Sequence, residues 1–157
     1  MNIKYFLGSI LAVPLLPVMY FHGKKIKALV PELPEAKGIE GKSTVNSKSS
    51  IRLLTIGEST IAGVGVATHN EGFTGTLANE LSLKLNTNVQ WKVYARSGYT
   101  AKRVREKIIP KITEQSTDII VIGLGGNDAF TLSSPAKWTL DINELIVAVK
   151  EKFGETP

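Results

Sequence analysis

The first feature of the chain is an unbroken apolar run. Tyr5 to Phe21 (YFLGSILAVPLLPVMYF) carries no charge over 17 residues, with Lys4 before it and Lys24, Lys25 and Lys27 after it. That is the shortest length that spans a bilayer. A cleaved signal peptide would show a shorter apolar core and small residues at an A-x-A-like site, whereas here Tyr20, Phe21 and His22 lead directly into the lysines. The pattern favours an uncleaved membrane anchor within residues 1–27, crossing at residues 5–21, over a signal peptide or a buried or interfacial apolar segment. Pro14 and Pro17 would kink such a helix but are tolerated in membrane spans. More lysines follow the run than precede it, which leans toward a cytoplasmic domain and leaves the side of the membrane unresolved.

Residues 28–50 then turn polar, with prolines, glycines, serines and threonines and no hydrophobic period, and read as a linker. From residue 51 the pattern alternates between two periods. Ile51-Arg-Leu-Leu-Thr-Ile-Gly57 and Ile119-Ile-Val-Ile-Gly-Leu124 are short, nearly continuous apolar strands, as in a sheet covered on both faces, and Val89 to Tyr94 alternates. Between and after them the spacing is helical. Phe73, Leu77, Leu81 and Leu85 form one stripe, Ala101, Val104, Ile108 and Ile112 a second, and Trp138, Ile142, Leu145, Val149 and Phe153 a third. Ser134 and Pro135 mark the start of the third helix, and Pro110 should end or kink the second. Strand and helix alternate three times, so residues 51–157 predict an α/β domain with a parallel sheet and right-handed crossovers. Doubly wound sheets usually carry five strands, and three leave an apolar edge open. The domain therefore reads as truncated after its third strand–helix unit.

Composition narrows the chemistry. The 157 residues include no cysteine, which excludes a disulfide scaffold, a thiolate metal site and a cysteine nucleophile. The net charge of +5 sits mostly in the first 50 residues, which hold +4, leaving the domain near neutral. A near-neutral domain lacks the footprint of a phosphate-tracking surface, so nucleic-acid binding is not expected. The cationic run Lys102, Arg103, Arg105, Lys107 and Lys111 reads as the solvated face of the second helix, with contact to anionic lipid head groups as its alternative. No phosphate-cradling Gly-x-x-x-x-Gly-Lys occurs, the Gly123-Leu-Gly125 cluster lacks a third glycine at 128, and no histidine–carboxylate spacing suits a metal.

Three loops follow the three strands, at the sheet edge where ligands bind in open α/β folds. They read Gly57-Glu58-Ser59-Thr60-Ile61-Ala62-Gly63, Arg96-Ser97-Gly98-Tyr99-Thr100 and Gly123-Leu124-Gly125-Gly126-Asn127-Asp128. Together they offer a serine on a tight turn, a glycine N–H and an asparagine amide, which are the parts acyl transfer needs. Asp128 could orient the Asn127 loop or cap the following turn.

In order and spacing, these loops resemble blocks one to three of the SGNH hydrolases, the GDSL-type esterases and lipases. Gly57-Glu58-Ser59 stands where that family has Gly-Asp-Ser, Gly98 falls on the block-two glycine, and Gly125-Gly126-Asn127-Asp128 fits Gly-x-Asn-Asp. The resemblance implies a three-layer, flavodoxin-like fold and hydrolysis of carboxylic esters, from small molecules or lipids, through an acyl-serine intermediate without metal or cofactor. It implies Ser59 as nucleophile, and the Ser59 N–H, the Gly98 N–H and the Asn127 side-chain amide as the oxyanion hole. Glu58 departs from the family's aspartate by one methylene. The family also draws its general base from a late Asp-x-x-His, and this sequence shows none. Its histidines are His22, after the apolar run, and His69, which reads as a solvated loop residue. Without an imidazole a serine hydroxyl is a poor nucleophile at neutral pH. The alternative to an esterase is therefore a non-catalytic, truncated or decayed module tethered to a membrane. A second polypeptide supplying the missing strands and base is a third reading.

Overall fold

A computed structural model of the chain describes residues 3–29, 31 and 33–154. Met1, Asn2, Val30, Glu32 and the closing residues Glu155, Thr156 and Pro157, which the sequence assigns to the anchor, the linker and a final turn, lie outside that description. The chain divides into two compact units, residues 1–33 and residues 34–157.

The first unit is helical. Helix α1 spans Ile3–Ala12, a 3₁₀ turn covers Val13–Leu15, and helix α2 spans Leu16–Leu29. Pro14 and Pro17 withhold two backbone N–H groups at the junction, where the segment passes from a helix of 10 residues through the 3₁₀ turn into one of 14. A membrane crossing takes about 20 apolar residues. Among the described residues no helix is long and apolar enough to cross a membrane. Residues 5–21, expected to form the anchor, lie in these two helices and the 3₁₀ turn between them.

The second unit is a sheet between helices. Strand β1 is Glu40–Ser43, β2 Ser50–Gly57, β3 Asn88–Ala95 and β4 Ile119–Gly123, in the order β1-β3-β2-β4. Strands β2, β3 and β4 are parallel, in the register Leu53↔Trp91 and Leu53↔Ile119, and they are the three strands read from the sequence. Strand β1 falls within the stretch read as linker, and it pairs antiparallel along β3 from Glu40↔Lys92 to Ser43↔Val89. Its side chains are mostly polar and it is held by the backbone ladder, so no hydrophobic period announces it. Gly41 lies directly against Trp91, where a Cβ would come within 2.2 Å of the indole.

Two apolar layers cover the sheet. Helix α3, Phe73–Leu85, packs Ala78, Leu77 and Leu81 on Leu53, Val89, Trp91 and Val93. Helices α4, Ala101–Lys107, and α6, Pro135–Phe153, bring Val104, Leu145 and Val149 onto Leu54 and Ile56 on the opposite face. This is the expected three-layer arrangement. The α4 stripe is buried as predicted, and Pro110 converts the end of that helix into a 3₁₀ turn at Ile109–Lys111. Ser134 caps α6 by accepting the Lys137 N–H at 3.3 Å.

The α3 stripe differs from its reading. Phe73 and Leu85 are exposed, and the buried face is built from Thr74, Gly75, Ala78 and Ser82. Small residues there let the helix approach closely, with Thr74 Oγ1 bonded to Thr55 Oγ1 of β2 at 2.7 Å and Ser82 Oγ donating to the Thr87 carbonyl at 2.7 Å. Strand β4 pairs only with β2 among the described residues, and all five of its residues stay half-buried.

Candidate active site

The site lies at the carboxyl ends of β2, β3 and β4. At the end of β2 the chain turns sharply. Glu58 N–H still follows the sheet, donating to the Gly123 carbonyl at 3.1 Å, but the next carbonyls turn inward. Glu58 C=O accepts from Ala62 N–H at 2.7 Å and Ser59 C=O from Val64 N–H at 3.1 Å. Ile61 plugs the turn from below. A Cβ on Gly57 would sit 2.5 Å from Ile61 Cγ1, and one on Gly123 2.7 Å from the same atom. Both strand ends must be glycine for the turn to seat on the sheet.

Ser59 is half-buried at the head of this turn. Among the described residues neither its N–H nor its hydroxyl has a hydrogen-bond partner. Gly98 occupies the turn after β3 with φ +79°, a conformation that costs other L-residues strain, and its N–H is likewise unpartnered among the described residues. Tyr99 N–H closes that turn on the Arg96 carbonyl at 3.3 Å.

The third loop opens into the short helix α5, Gly126–Phe130. Glu58 joins it to the first loop. Its carboxylate accepts Gly126 N–H at 2.8 Å, Asn127 N–H at 3.0 Å and the Asn127 side-chain amide. The same Asn127 Nδ2 donates to the Tyr99 carbonyl at 3.0 Å, next to Gly98. Asn127 is therefore the pivot joining all three loops. Both of its amide hydrogens are engaged within the protein. The sequence identified Asn127 and Gly98 but not the carboxylate clamp that Glu58 places on Asn127, because those partners lie 69 residues apart.

Asp128 is 2% exposed, and its Oδ2 accepts the Ala101 N–H at 3.0 Å at the start of α4. Thr100 Oγ1 accepts Arg103 N–H from the other side, so α4 is capped twice. Asp128 thus caps α4 across space and not its own turn. A cavity of about 240 Å³ opens beside it, lined by Gly125, Ala129, Ser133, Pro135 and Trp138. A cavity of about 600 Å³, lined by Arg52, Gln90, Lys92, Glu114 and Thr117 among others, lies toward the opposite end of the strands, away from Ser59.

His69 departs from its reading as a solvated residue. It is 3% exposed, with Nδ1 buried and without a hydrogen-bond partner, close against Gly63. Burial lowers its pKa below the usual imidazole value, and Glu35 opposes that shift in part. The cover over His69 is the segment 34–37, read from the sequence as linker. Its backbone runs along the Ser59 loop: Ala36 N–H donates to Ala62 C=O at 3.0 Å, Lys37 N–H to Ala67 C=O at 3.1 Å, and His69 N–H to Lys37 C=O at 2.9 Å. Much of the cationic run on and after α4 is paired, with Lys102 and Arg105 reaching Glu106, Arg105 also reaching Glu144, and Arg103 lying over the Tyr99 ring. No group of acidic or histidine residues among those described could hold a metal ion.

Three layers, a parallel core and three loops converging at the carboxyl edge define an α/β protein of the SGNH hydrolase type. Residues 55–157 match the GDSL-like Lipase/Acylhydrolase family, and the chain belongs to it. Solved structures share the fold. The SGNH-hydrolase family esterase AlinE4 superposes with a TM-score of 0.58 at 20% identity, covering 68% of this chain and 56% of its own. TesA gives 0.56 at 23% identity, covering 66% and 56%. The psychrotrophic esterase EstA from Pseudoalteromonas sp., in a structure inhibited by monoethylphosphonate, gives 0.52 at 17% identity, covering 67% and 56%. No curated protein matches the sequence. The matched part of the chain thus spans a little over half the length of these solved structures.

Proposed function

We propose that this chain carries the nucleophile and the oxyanion hole of a serine ester hydrolase acting on carboxylic esters of small molecules or lipids. The observation that carries the proposal is the pair of unpartnered N–H groups, on Ser59 and Gly98, beside a serine hydroxyl that is itself unpartnered. In such a site Ser59 Oγ forms a bond to the ester carbonyl carbon, the carbonyl π electrons move onto its oxygen, and that oxyanion accepts from Ser59 N–H and Gly98 N–H. Asn127 Nδ2 joins them by giving up one of its two present acceptors. Collapse of the intermediate breaks the bond to the alcohol oxygen, which leaves carrying the proton given up by Ser59, and water hydrolyses the acyl-serine that remains. Each donor in such a hole typically lowers the barrier by roughly 3–4 kcal/mol, because it is in place before charge develops.

The Ser59 proton needs an acceptor, and among the described residues no base is hydrogen-bonded to Ser59. His69 is sealed beneath segment 34–37. This favours, as the second reading, a family member that binds ester-like groups without turning them over. The test is p-nitrophenyl acetate turnover by the full-length protein. The hydrolase reading expects Ser59→Ala to lower the rate by at least 10³-fold, in the range seen for loss of a nucleophile. A rate equal to wild type removes Ser59 from the role, and no turnover in the wild type leaves the binding module.

A further inference from the structure

Both flanks of Glu35 are tied to one loop while its side chain reaches another. Pro34 C=O accepts Gly65 N–H at 3.3 Å, and Ala36 and Lys37 donate to Ala62 and Ala67, all within the loop that begins at Ser59. From this fixed position Glu35 Oε1 accepts the Ser97 N–H at 2.7 Å, and Oε2 accepts Arg96 Nη1 at 3.3 Å. Ser97 and Gly98 are exposed, and the turn is otherwise held only at its ends, by Arg96 N–H on the Gly57 carbonyl, Tyr99 N–H on the Arg96 carbonyl and Asn127 Nδ2 on the Tyr99 carbonyl. An exposed glycine turn populates several conformations, and an oxyanion donor is effective only when its position is fixed beforehand.

We propose that Glu35 is a positioning residue that holds the Gly98 turn in register with the Ser59 turn, so that their two free N–H groups converge on one point. The inference rests on the hydrolase reading above for its catalytic consequence and on the geometry alone for the tie. Glu35 lies 20 residues ahead of the first residue matched to the family, so the family's motifs do not contain it. Gly63 gives the strap its seat. A Cβ there would lie 2.6 Å from Ala36 Cβ, on a backbone at φ +65°, so a side chain at position 63 pushes the strap away from the loop.

The test uses the full chain labelled with ¹⁵N. In the wild type the Ser97 amide is protected from hydrogen exchange. Glu35→Ala speeds that exchange at least tenfold and increases fast motion at Gly98, while the amides of Ile56 and Val93 in the sheet keep their rates. Glu35→Gln keeps a carbonyl oxygen for Ser97 and restores most of the protection, and Gly63→Ala reproduces the loss without touching Glu35. An unprotected Ser97 amide in the wild type, or one indifferent to Glu35→Ala, overturns the proposal, whether or not the chain turns over ester. With turnover, Glu35→Ala lowers kcat about tenfold with KM within twofold, and Glu35→Gln recovers most of it. A kcat unchanged by Glu35→Ala overturns the catalytic consequence. Failure of the hydrolase reading shows separately, as Ser59→Ala retaining the wild-type rate.

Discussion

Glu58→Gln is the sharpest probe of the site's framework, since it keeps side-chain length and removes only charge and one acceptor. Glu58 is 8% exposed, with Oε1 holding Gly126 N–H and Oε2 holding both Asn127 N–H and its side-chain amide. A glutamine must place its NH₂ at one of these two positions. At Oε2 it would oppose two donors, at Oε1 only one, so the amide oxygen takes the Oε2 position and Gly126 N–H is left unpaired. A hydrogen bond to a charged group contributes about 1.5–3 kcal/mol, and a buried donor left without a partner costs about 1–3 kcal/mol. One bond lost and two weakened from charged to neutral give a destabilisation of about 2–4 kcal/mol. For a folded unit of this size that corresponds to a fall in Tm of roughly 10 °C. Thermal unfolding of the full chain followed by circular dichroism reads the shift, and amide exchange at Gly126 locates it. A Tm within about 2 °C of wild type would show that the clamp between the first and third loops is not formed in solution.

Because burial holds the His69 pKa below its ordinary 6.5, the unfolded chain takes up a proton first as the pH falls. His69's contribution to stability is therefore fully present above pH 6.5 and is lost as the pH drops through that value toward the lower folded pKa. Melts between pH 8 and pH 5 should show a falling Tm that His69→Gln flattens, and an equal slope in the two proteins would contradict the buried neutral imidazole. At Gly98 a Cβ would meet nothing within 4 Å, so only the backbone, at φ +79°, resists substitution. Gly98→Ala should cost roughly 1–2 kcal/mol in chemical denaturation, and Gly98→Asn less, because asparagine tolerates the left-handed region. A neutral Gly98→Ala would mean that the turn relaxes out of that region.

Strands β2, β3 and β4 and helices α4 and α6 were legible because their side chains are sorted between core and solvent, and that sorting writes a period of two or 3.6 into the chain. Single residues with fixed backbone consequences were legible too. Pro110 ends α4, Ser134 and Pro135 begin α6, and the Gly57 and Gly123 strand ends carry the loops that the family motifs pick out. The burial of α3 through Thr74, Gly75, Ala78 and Ser82 was not, because small polar residues have no apolar signature and gain their place only when Thr55 and Thr87 are there to bond them.

What the sequence determined by itself was the alternation of strand and helix, the three loops in their order, and Ser59, Gly98 and Asn127 as the residues to watch. What only the tertiary structure decided was how the loops are held to one another. Glu58 reaching Gly126 and Asn127, Asp128 capping α4, Glu35 reaching Ser97, strand β1 pairing with β3, and His69 sealed under segment 34–37 are all contacts between distant parts of the chain. Each is made by polar groups or by backbone, whose pairing depends on direction and distance in space. Hydrophobic burial is a property of single positions and leaves a trace along the chain, whereas a directed hydrogen bond exists only once both ends have been brought together.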